Sequence, residues 1–521
     1  MGIKHFFGKF KKDNPNAFST VKLNKNTRLP APIDTLALDL NALIHPTAQK
    51  IYRYGNYSSL IKTHVSCNRV NNVRVFDAVC KSIADMVDAV KPRKRLIIAI
   101  DGVAGYSKMN QQRGRRFKSV QGSSEPKRDS FTPNSISPGT LFMDNLVRHL
   151  ENYISVSVHT IWKTLDVVFS SDKDPGEGEH KIIHIARTTP DNSLCVVSPD
   201  ADLIMLGLVS GIKDFYILRE DMNDPTRYFF VSVKEFRYSV EKFFHTVEDF
   251  IVVCCLLGND FIPQIPGIEV HNGGIENLME AYKETLVDIK TKLLNRQNLH
   301  RFLKRLQPLC LTALKKKYLG RSKYFQDSLV EKYFSGLTLE TVRCEYDCFK
   351  TQYYKKAQKV TGETREKLSE EYIKGIQFVV LYYTRGIPDW TWYYANPYAP
   401  FVDELSECSS IISFRKNTKP APPFLQLLCI LPPQNVRLLP LQMRNVVADK
   451  KSYFPTTIDI DYSGKYSDWE GIPILPPIPV KLFTQEYDLL KKKHKDIGAW
   501  SRDRIEPCYL YKQGTRSVYT L

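Results

Sequence analysis

The stretch Asp174-Pro175-Gly176-Glu177-Gly178-Glu179-His180-Lys181 decides how the rest of the chain is read. It sets two carboxylates one residue apart on a glycine-loosened turn, directly ahead of an apolar helical run through Ile182, Ile183, Ile185 and Ala186. Glycine on both sides of Glu177 admits backbone angles that other residues resist. On a regular helix, residues i and i+2 point apart; on such a turn their carboxylates can converge. Converging carboxylates share a proton or bind a hard divalent cation, which takes oxygen ligands. Taken alone, the stretch also reads as an ordinary helix start, where Glu is favoured by the helix dipole. Acids at matching places elsewhere in the chain favour the cation.

Working outward, residues 33–40 read as a short buried strand that runs into Asp39-Leu40-Asn41. A helical spacing follows (Val75, Phe76, Val79, Ile83, Met86, Val90) and stops at Lys91-Pro92. A second strand, 95–100, ends at Asp101. Residues 165–169 form a strand before the acidic turn, 194–197 another before Ser198-Pro199-Asp200-Ala201-Asp202, and 215–218 a further one. Alternating strands and helices predict an α/β fold with a mostly parallel central sheet flanked by helices. Ligands of such sheets bind beyond the carboxyl ends of the strands. A single acid there is usually a turn former. Here Asp39, Asp101, Asp200 and Asp202 all end strands, Glu177 and Glu179 follow one closely, and Asp260 follows an apolar helix-like run. Those seven carboxylates cannot coexist ionised without cations. Two Mg²⁺ ions, about 3.5 to 4 Å apart, with Mn²⁺ as an alternative, would neutralise them and promote in-line attack on a phosphodiester.

The charge balance agrees with such a substrate. The 521 residues carry 74 Lys and Arg against 56 Asp and Glu, a net charge of +18, which suits a polyanionic partner such as nucleic acid. Hydrophobic content of 43% and charged content of 25% are ordinary, so a folded chain with a large core is expected. Eleven cysteines show no metal-ligand spacing and read as reduced thiols, favouring an intracellular, cytoplasmic setting with the nucleus open. The longest apolar stretches, such as 250–257, are far shorter than the roughly 20 residues a bilayer helix needs.

After Asp101 and Gly102-Val103-Ala104 comes a basic, helix-compatible segment. Lys108, Gln112, Arg115 and Arg116 stand at i, i+4, i+7 and i+8 and so share one side. Such a face is either solvated or a seat for a terminal phosphate, since Arg offers forked donors and Lys a point charge. Its closeness in sequence to Asp101 favours the seat.

Together these stretches resemble the 5′-to-3′ exoribonucleases of the XRN family. The match runs through Met1-Gly2-Ile3 with Phe6-Phe7, Asp39-Leu40-Asn41 with Ile44-His45, and Ile100 to Ala104. It continues through Lys108 to Arg113, Asn134 to Thr140, Pro175 to Lys181, Ser198 to Leu203, Leu218-Arg219-Glu220 and Leu256 to Pro263. A second region reads Gly375 to Tyr383, Trp390 to Tyr394 and Tyr398 to Phe401, with Phe424 to Leu428 and Trp469-Glu470-Gly471 beyond. The resemblance implies a 5′-nuclease or PIN-like domain at 1–275, a helical connection at 276–370, and a second conserved region at 371–521 that completes the active-site channel. It makes the seven acids the metal cluster and Lys108, Gln112, Arg115 and Arg116 the pocket for a 5′-monophosphate. Asn41 is a further active-site residue, and His45 stacks on a terminal base with either Trp390 or Trp392. The implied substrate is single-stranded RNA, with a decapping or pyrophosphohydrolase enzyme acting upstream.

The chain departs from the family at Gly105-Tyr106-Ser107, Gln264 and Ala395-Asn396, which leaves the shape of the nucleotide path open. Two rivals remain. A flap-endonuclease-like 5′ nuclease acting on DNA shares the acidic rim and a Leu-Leu-Gly-x-Asp stretch leading to Pro-Gly-Ile, here 256–260 and 266–268. The other is a catalytically inactive RNA-binding protein of this fold.

Overall fold

A computed structural model describes all residues except 1–5, 56–64, 122–130, 190, 222–223, 409–411, 496–497, 513–514 and 520–521. The Met1-Gly2-Ile3 stretch therefore lies outside the described residues.

The first half of the chain builds a sheet. After α1 (Phe6–Asp13) come β1 (Phe18–Lys22), β2 (Thr35–Asp39), α2 (Asn41–Tyr52), α3 (Arg69–Val90), β3 (Arg95–Ala99), α4 (Tyr106–Ser119) and α5 (Leu141–Ser157). Then follow β4 (Asp166–Ser170), α6 (Gly178–Thr188), β5 (Ser193–Val197), α7 (Asp202–Val209), β6 (Asp214–Asp221), β7 (Asp224–Ser232), α8 (Val233–Glu241) and α9 (Val247–Cys255). The middle is helical: α10 (Gly274–Ala281), α11 (Arg296–Leu319), α12 (Ser328–Tyr333), a small β8 (Phe334–Ser335) and β9 (Arg343–Cys344) pair, and α13 (Tyr346–Thr361). The last part holds α14 (Arg365–Arg385), α15 (Val402–Glu407), α16 (Pro423–Ile430), α17 (Arg444–Asp449), a β10 (Asp459–Asp461) and β11 (Ile472–Ile474) pair, and α18 (Val480–Lys493). It closes with β12 (Tyr509–Lys512) and β13 (Thr515–Val518).

Among the described residues the main sheet has nine strands in the order β1-β7-β6-β5-β2-β3-β4-β12-β13. The central run β6-β5-β2-β3-β4 is parallel throughout. Every residue of β2 and β5 is buried, as a strand covered on both faces requires. Antiparallel strands extend both flanks, β7 and β1 on one side and β12 and β13 on the other. The expectation of a mostly parallel sheet thus describes its centre, and the edges are antiparallel.

Alternate residues of each strand serve opposite faces. Leu36, Leu38, Ile98 and Phe169 face a core that includes α3 and α5, whereas Ala37, Ile97 and Val168 face one that includes α6, α7 and α9. The second of these cores runs on without a break into α11, α13 and α14, so residues 276–370 share it with both flanking segments. A third core joins α4 to α16 and α18. Strand β12 pairs with β4, so residues near the end of the chain extend the sheet begun by the first half. Among the described residues no helix is long and apolar enough to cross a membrane, and all eleven cysteines are free thiols.

Candidate active site

The acids gather because the strands that carry them are neighbours and parallel. Asp39 ends β2 and Asp101 stands two residues beyond β3, its partner in the sheet. Asn41 opens α2 and donates its side-chain N–H to Asp101 Oδ2 at 2.7 Å, while its own oxygen accepts from the Asp101 backbone N–H at 3.3 Å. The other Asp101 oxygen accepts from the backbone N–H of Gly178 at 2.8 Å. A Cβ at Gly178 would stand 3.0 Å from Asp39 Oδ1 and 3.4 Å from Asp101 Oδ1, so a side chain there would press on both carboxylates. Gly102 serves the same junction. Its N–H donates to Gly176 O at 2.9 Å, and a Cβ would lie 1.9 Å from the Asp174 carbonyl oxygen.

The acidic turn leaves Glu177 and Glu179 near enough that, after burial and Asp200, the Glu177 charge helps to raise Glu179. Glu177 is the N-cap residue of α6 and Glu179 lies in its first turn. Glu179 joins Asp200 and Asp202, with one oxygen of each lying within 4.8 Å of the others. Glu177 is held from two sides, by the Lys108 ammonium on Oε2 and the Tyr382 hydroxyl on Oε1. Lys108 also reaches Asp260 Oδ2 at 2.8 Å. On the far side of the group, the Ser198 hydroxyl donates to Asp39 Oδ2 at 2.9 Å.

Electrostatics follow from this crowding. Burial and then the Asp101 charge push the Asp39 carboxyl up to about 8, and burial with Asp200 does the same to Asp202. Glu179 is driven well above the carboxylate range by burial and by Asp200. Burial alone would lower Lys108, but Asp260 and Glu177 hold it firmly charged. Among the described residues Lys108 by itself does not balance seven carboxylates, and Asp39 Oδ1 is buried there without a hydrogen-bond donor. An oxygen-lined, over-acidic pocket of this kind fits hard divalent cations, and the residues that would hold them are the Glu179, Asp200 and Asp202 set with Asp39, Asp101, Glu177 and Asp260 around it.

Helix α4 leads away from these acids. Lys108 sits at the cluster, Gln112 is half-buried, and Arg115 is exposed. Arg116 is buried and donates to the Ser137 hydroxyl at 2.8 Å, which in turn donates to Asn134 O at 2.8 Å. The Asn134 to Thr140 motif therefore sets the direction of Arg116. His45 lies one turn after Asn41 on α2 and is half-buried; burial and the Arg115 charge push its imidazole down to about 4, leaving a neutral ring.

The two tryptophans separate. Trp392 is buried against Phe378, with ring centroids 4.6 Å apart, and its indole N–H donates to Glu371 Oε2 at 2.9 Å. Its faces are covered by core, so stacking on a base is closed to it. Trp390 is half-buried, and its carbonyl accepts from the N–H of Tyr106, the first residue of α4, at 2.9 Å. Reasoning from sequence passed over Ser137, Ser198 and Tyr382. Ser198 has a signal, a hydroxyl two residues before Asp200 at a strand end; Tyr382 lies in the Gly375 to Tyr383 stretch, but nothing in its spacing sets it apart from the other 27 tyrosines.

Comparison with known proteins gives the family. A model of the XRN 5′-3′ exonuclease N-terminus matches residues 1–221, and one of the Xrn1 helical domain matches 240–317 and 311–497. The chain belongs to the XRN family. It is 26% identical to human 5′-3′ exoribonuclease 1 over 100% of its own length and 36% of that protein. Against 5′-3′ exoribonuclease 1 of Saccharomyces cerevisiae it is 26% identical over 91% of its length and 42% of the yeast protein. It thus spans well under half of these XRN relatives. The catalytic core of Rad2 in complex with DNA substrate aligns with 54% of this chain and 69% of that one, at 16% identity and a TM-score of 0.33, too slight a likeness to weigh.

Proposed function

We propose that this chain is a 5′-to-3′ exoribonuclease that removes nucleoside 5′-monophosphates in succession from single-stranded RNA bearing a 5′-monophosphate. What carries this reading is helix α4, which has Lys108 among the acids at one end and Arg115 and Arg116 beyond it on the same side. Seven residues of helix cover about 10 Å. A terminal phosphate seated by Arg115, Arg116 and Gln112 would leave room for one nucleotide before the acids. Ser137 keeps the Arg116 guanidinium turned, and forked donors suit phosphate oxygens.

The neutral ring of His45 and the half-buried Trp390 would stack on the leading base. Stacking contributes roughly 1–3 kcal/mol per base and tolerates any sequence, as processive trimming demands. Mg²⁺, or Mn²⁺ in its place, would supply Lewis-acid charge where the phosphodiester is cut. Lys108 would meanwhile orient the phosphate, and the carboxylates around it would accept protons. A cap or triphosphate adds bulk and charge that the α4 face does not serve, so a decapping or pyrophosphohydrolase enzyme would act upstream.

The test compares one RNA carrying a 5′-monophosphate, a 5′-hydroxyl or a cap, each with Mg²⁺. The first should be lost from its 5′ end while the other two survive. Equal loss of all three would remove the pocket assignment, and cleavage at the junction of a branched DNA would support a flap endonuclease instead.

A further inference from the structure

Tyr382 comes from the second half of the chain, yet its hydroxyl donates to Oε1 of Glu177, inside the acid cluster of the first half. The other oxygen of that carboxylate is taken by Lys108. Two donors from separate elements fix the plane of a carboxylate that one donor would leave free to turn.

The tyrosine itself is immobilised. It is buried on α14, with its ring centroid 4.0 Å from that of His180 and 4.6 Å from that of Phe261. The helix is anchored to the loop that carries the last acid, because the Tyr372 hydroxyl donates to Pro263 O at 2.7 Å, three residues after Asp260. Gln377 adds two bonds to the next segment, donating to Lys292 O at 2.8 Å and accepting from Leu294 N–H at 2.7 Å. Glu177 and Asp260, the two carboxylates that grip Lys108, are therefore both referenced to one buried helix from outside the sheet domain.

We infer that Tyr382 is a positioning residue: it holds Glu177 in the orientation that metal binding and cleavage require, so the first half is catalytically incomplete without α14. This rests on the nuclease reading above. Groups that hold a ligand in place typically change metal affinity or activity by about 10- to 100-fold when removed. Tyr382→Phe keeps the ring and removes only the donor.

The experiment uses the full chain and measures Mn²⁺ affinity by calorimetry together with kcat and KM on 5′-phosphorylated RNA. Tyr382→Phe should weaken Mn²⁺ binding and lower kcat by at least about tenfold, with KM within about twofold because the phosphate seat on α4 is untouched. Tyr383→Phe, on the same helix and equally buried, hydrogen-bonds none of the acids among the described residues and should behave as the parent. In a Glu177→Gln background, Tyr382→Phe should add less than about twofold, since residues acting as one unit are not additive. Parent-like Mn²⁺ affinity and kcat in Tyr382→Phe would overturn the inference, as would an equal loss in Tyr383→Phe or a full extra loss on Glu177→Gln. A parent protein inert toward every RNA would defeat the nuclease reading alone, and the Mn²⁺ affinities would still decide the role of Tyr382.

Discussion

The two halves of the molecule contribute different chemistry to one site. The sheet half supplies the charge: six acids at neighbouring strand ends and helix starts, Asp260 on the loop after α9, and Lys108 set among them. The half beyond residue 370 supplies almost no charge there. It offers a tyrosine hydroxyl to Glu177, a buried helix against the Asp260 loop, a tryptophan beside the start of α4, and backbone carbonyls for Arg113. Charged groups crowded together repel and need to be held, whereas hydroxyls, rings and carbonyls can do the holding without adding to the repulsion. The first half therefore gathers the charge at a cost in stability, and the second half offsets that cost.

The largest expected effect breaks the comparison on its charged side. Asp202→Asn removes one member of the Glu179, Asp200 and Asp202 trio without changing its shape. RNA degradation should fall by more than about 100-fold, because a cation site loses a direct ligand rather than a supporting group. In metal-free buffer the same variant should melt at a higher temperature than the parent, since a neutral amide relieves like-charge repulsion. A lower melting temperature would show that Asp202 stabilises the fold, and the division between reacting and holding halves would lose its basis.

That division also explains what could be read without coordinates. Acids at strand ends announce themselves because the strands are short apolar runs and the acids break them; Asp39, Asp101 and Asp200 are legible for that reason. The flanking strands are not. Residues 515–518 are exposed throughout and 18–22 are exposed or half-buried, so neither has the apolar alternation that marks a strand. The separation of Trp390 from Trp392 was equally hidden. In an extended strand residues two apart share a face, but here the buried Asp389 carboxylate accepts from both the backbone N–H and the hydroxyl of Thr391, at 2.8 and 2.7 Å, and turns the chain between the tryptophans.

A smaller effect sharpens the comparison on its holding side. Arg113 is 1% exposed and donates to Cys429 O at 2.8 Å and to Tyr453 O, while its guanidinium lies 4.5 Å from the centre of the Phe117 ring. It locks α4 to the second half. Arg113→Ala should lower unfolding stability by about 3 kcal/mol, as two buried carbonyls lose a charged donor. Arg113→Lys, with one compact ammonium in place of a fork, should lose less. A urea midpoint for Arg113→Ala equal to that of the parent would show that α4 is held by its own apolar face.

The weakest effect concerns contacts between the holding half and the helical segment before it. Burial alone would raise the Asp461 carboxyl, but the Lys356 ammonium, the Ser463 backbone N–H at 3.0 Å and the Tyr398 hydroxyl at 2.7 Å hold it down to about 2. These bonds tie β10 to α13 and to the segment that follows α14. A carboxyl depressed in the folded state stabilises above its unfolded value, near 4, and loses that contribution as pH falls toward 2. The parent should therefore exceed Asp461→Asn by about 2 kcal/mol at pH 6, and the gap should shrink by about half by pH 3. Urea unfolding of both proteins across that range reads it directly. A gap that stays constant with pH would mean that Asp461 acts through its hydrogen bonds as any neutral acceptor would, and that even this pairing holds by shape instead of charge.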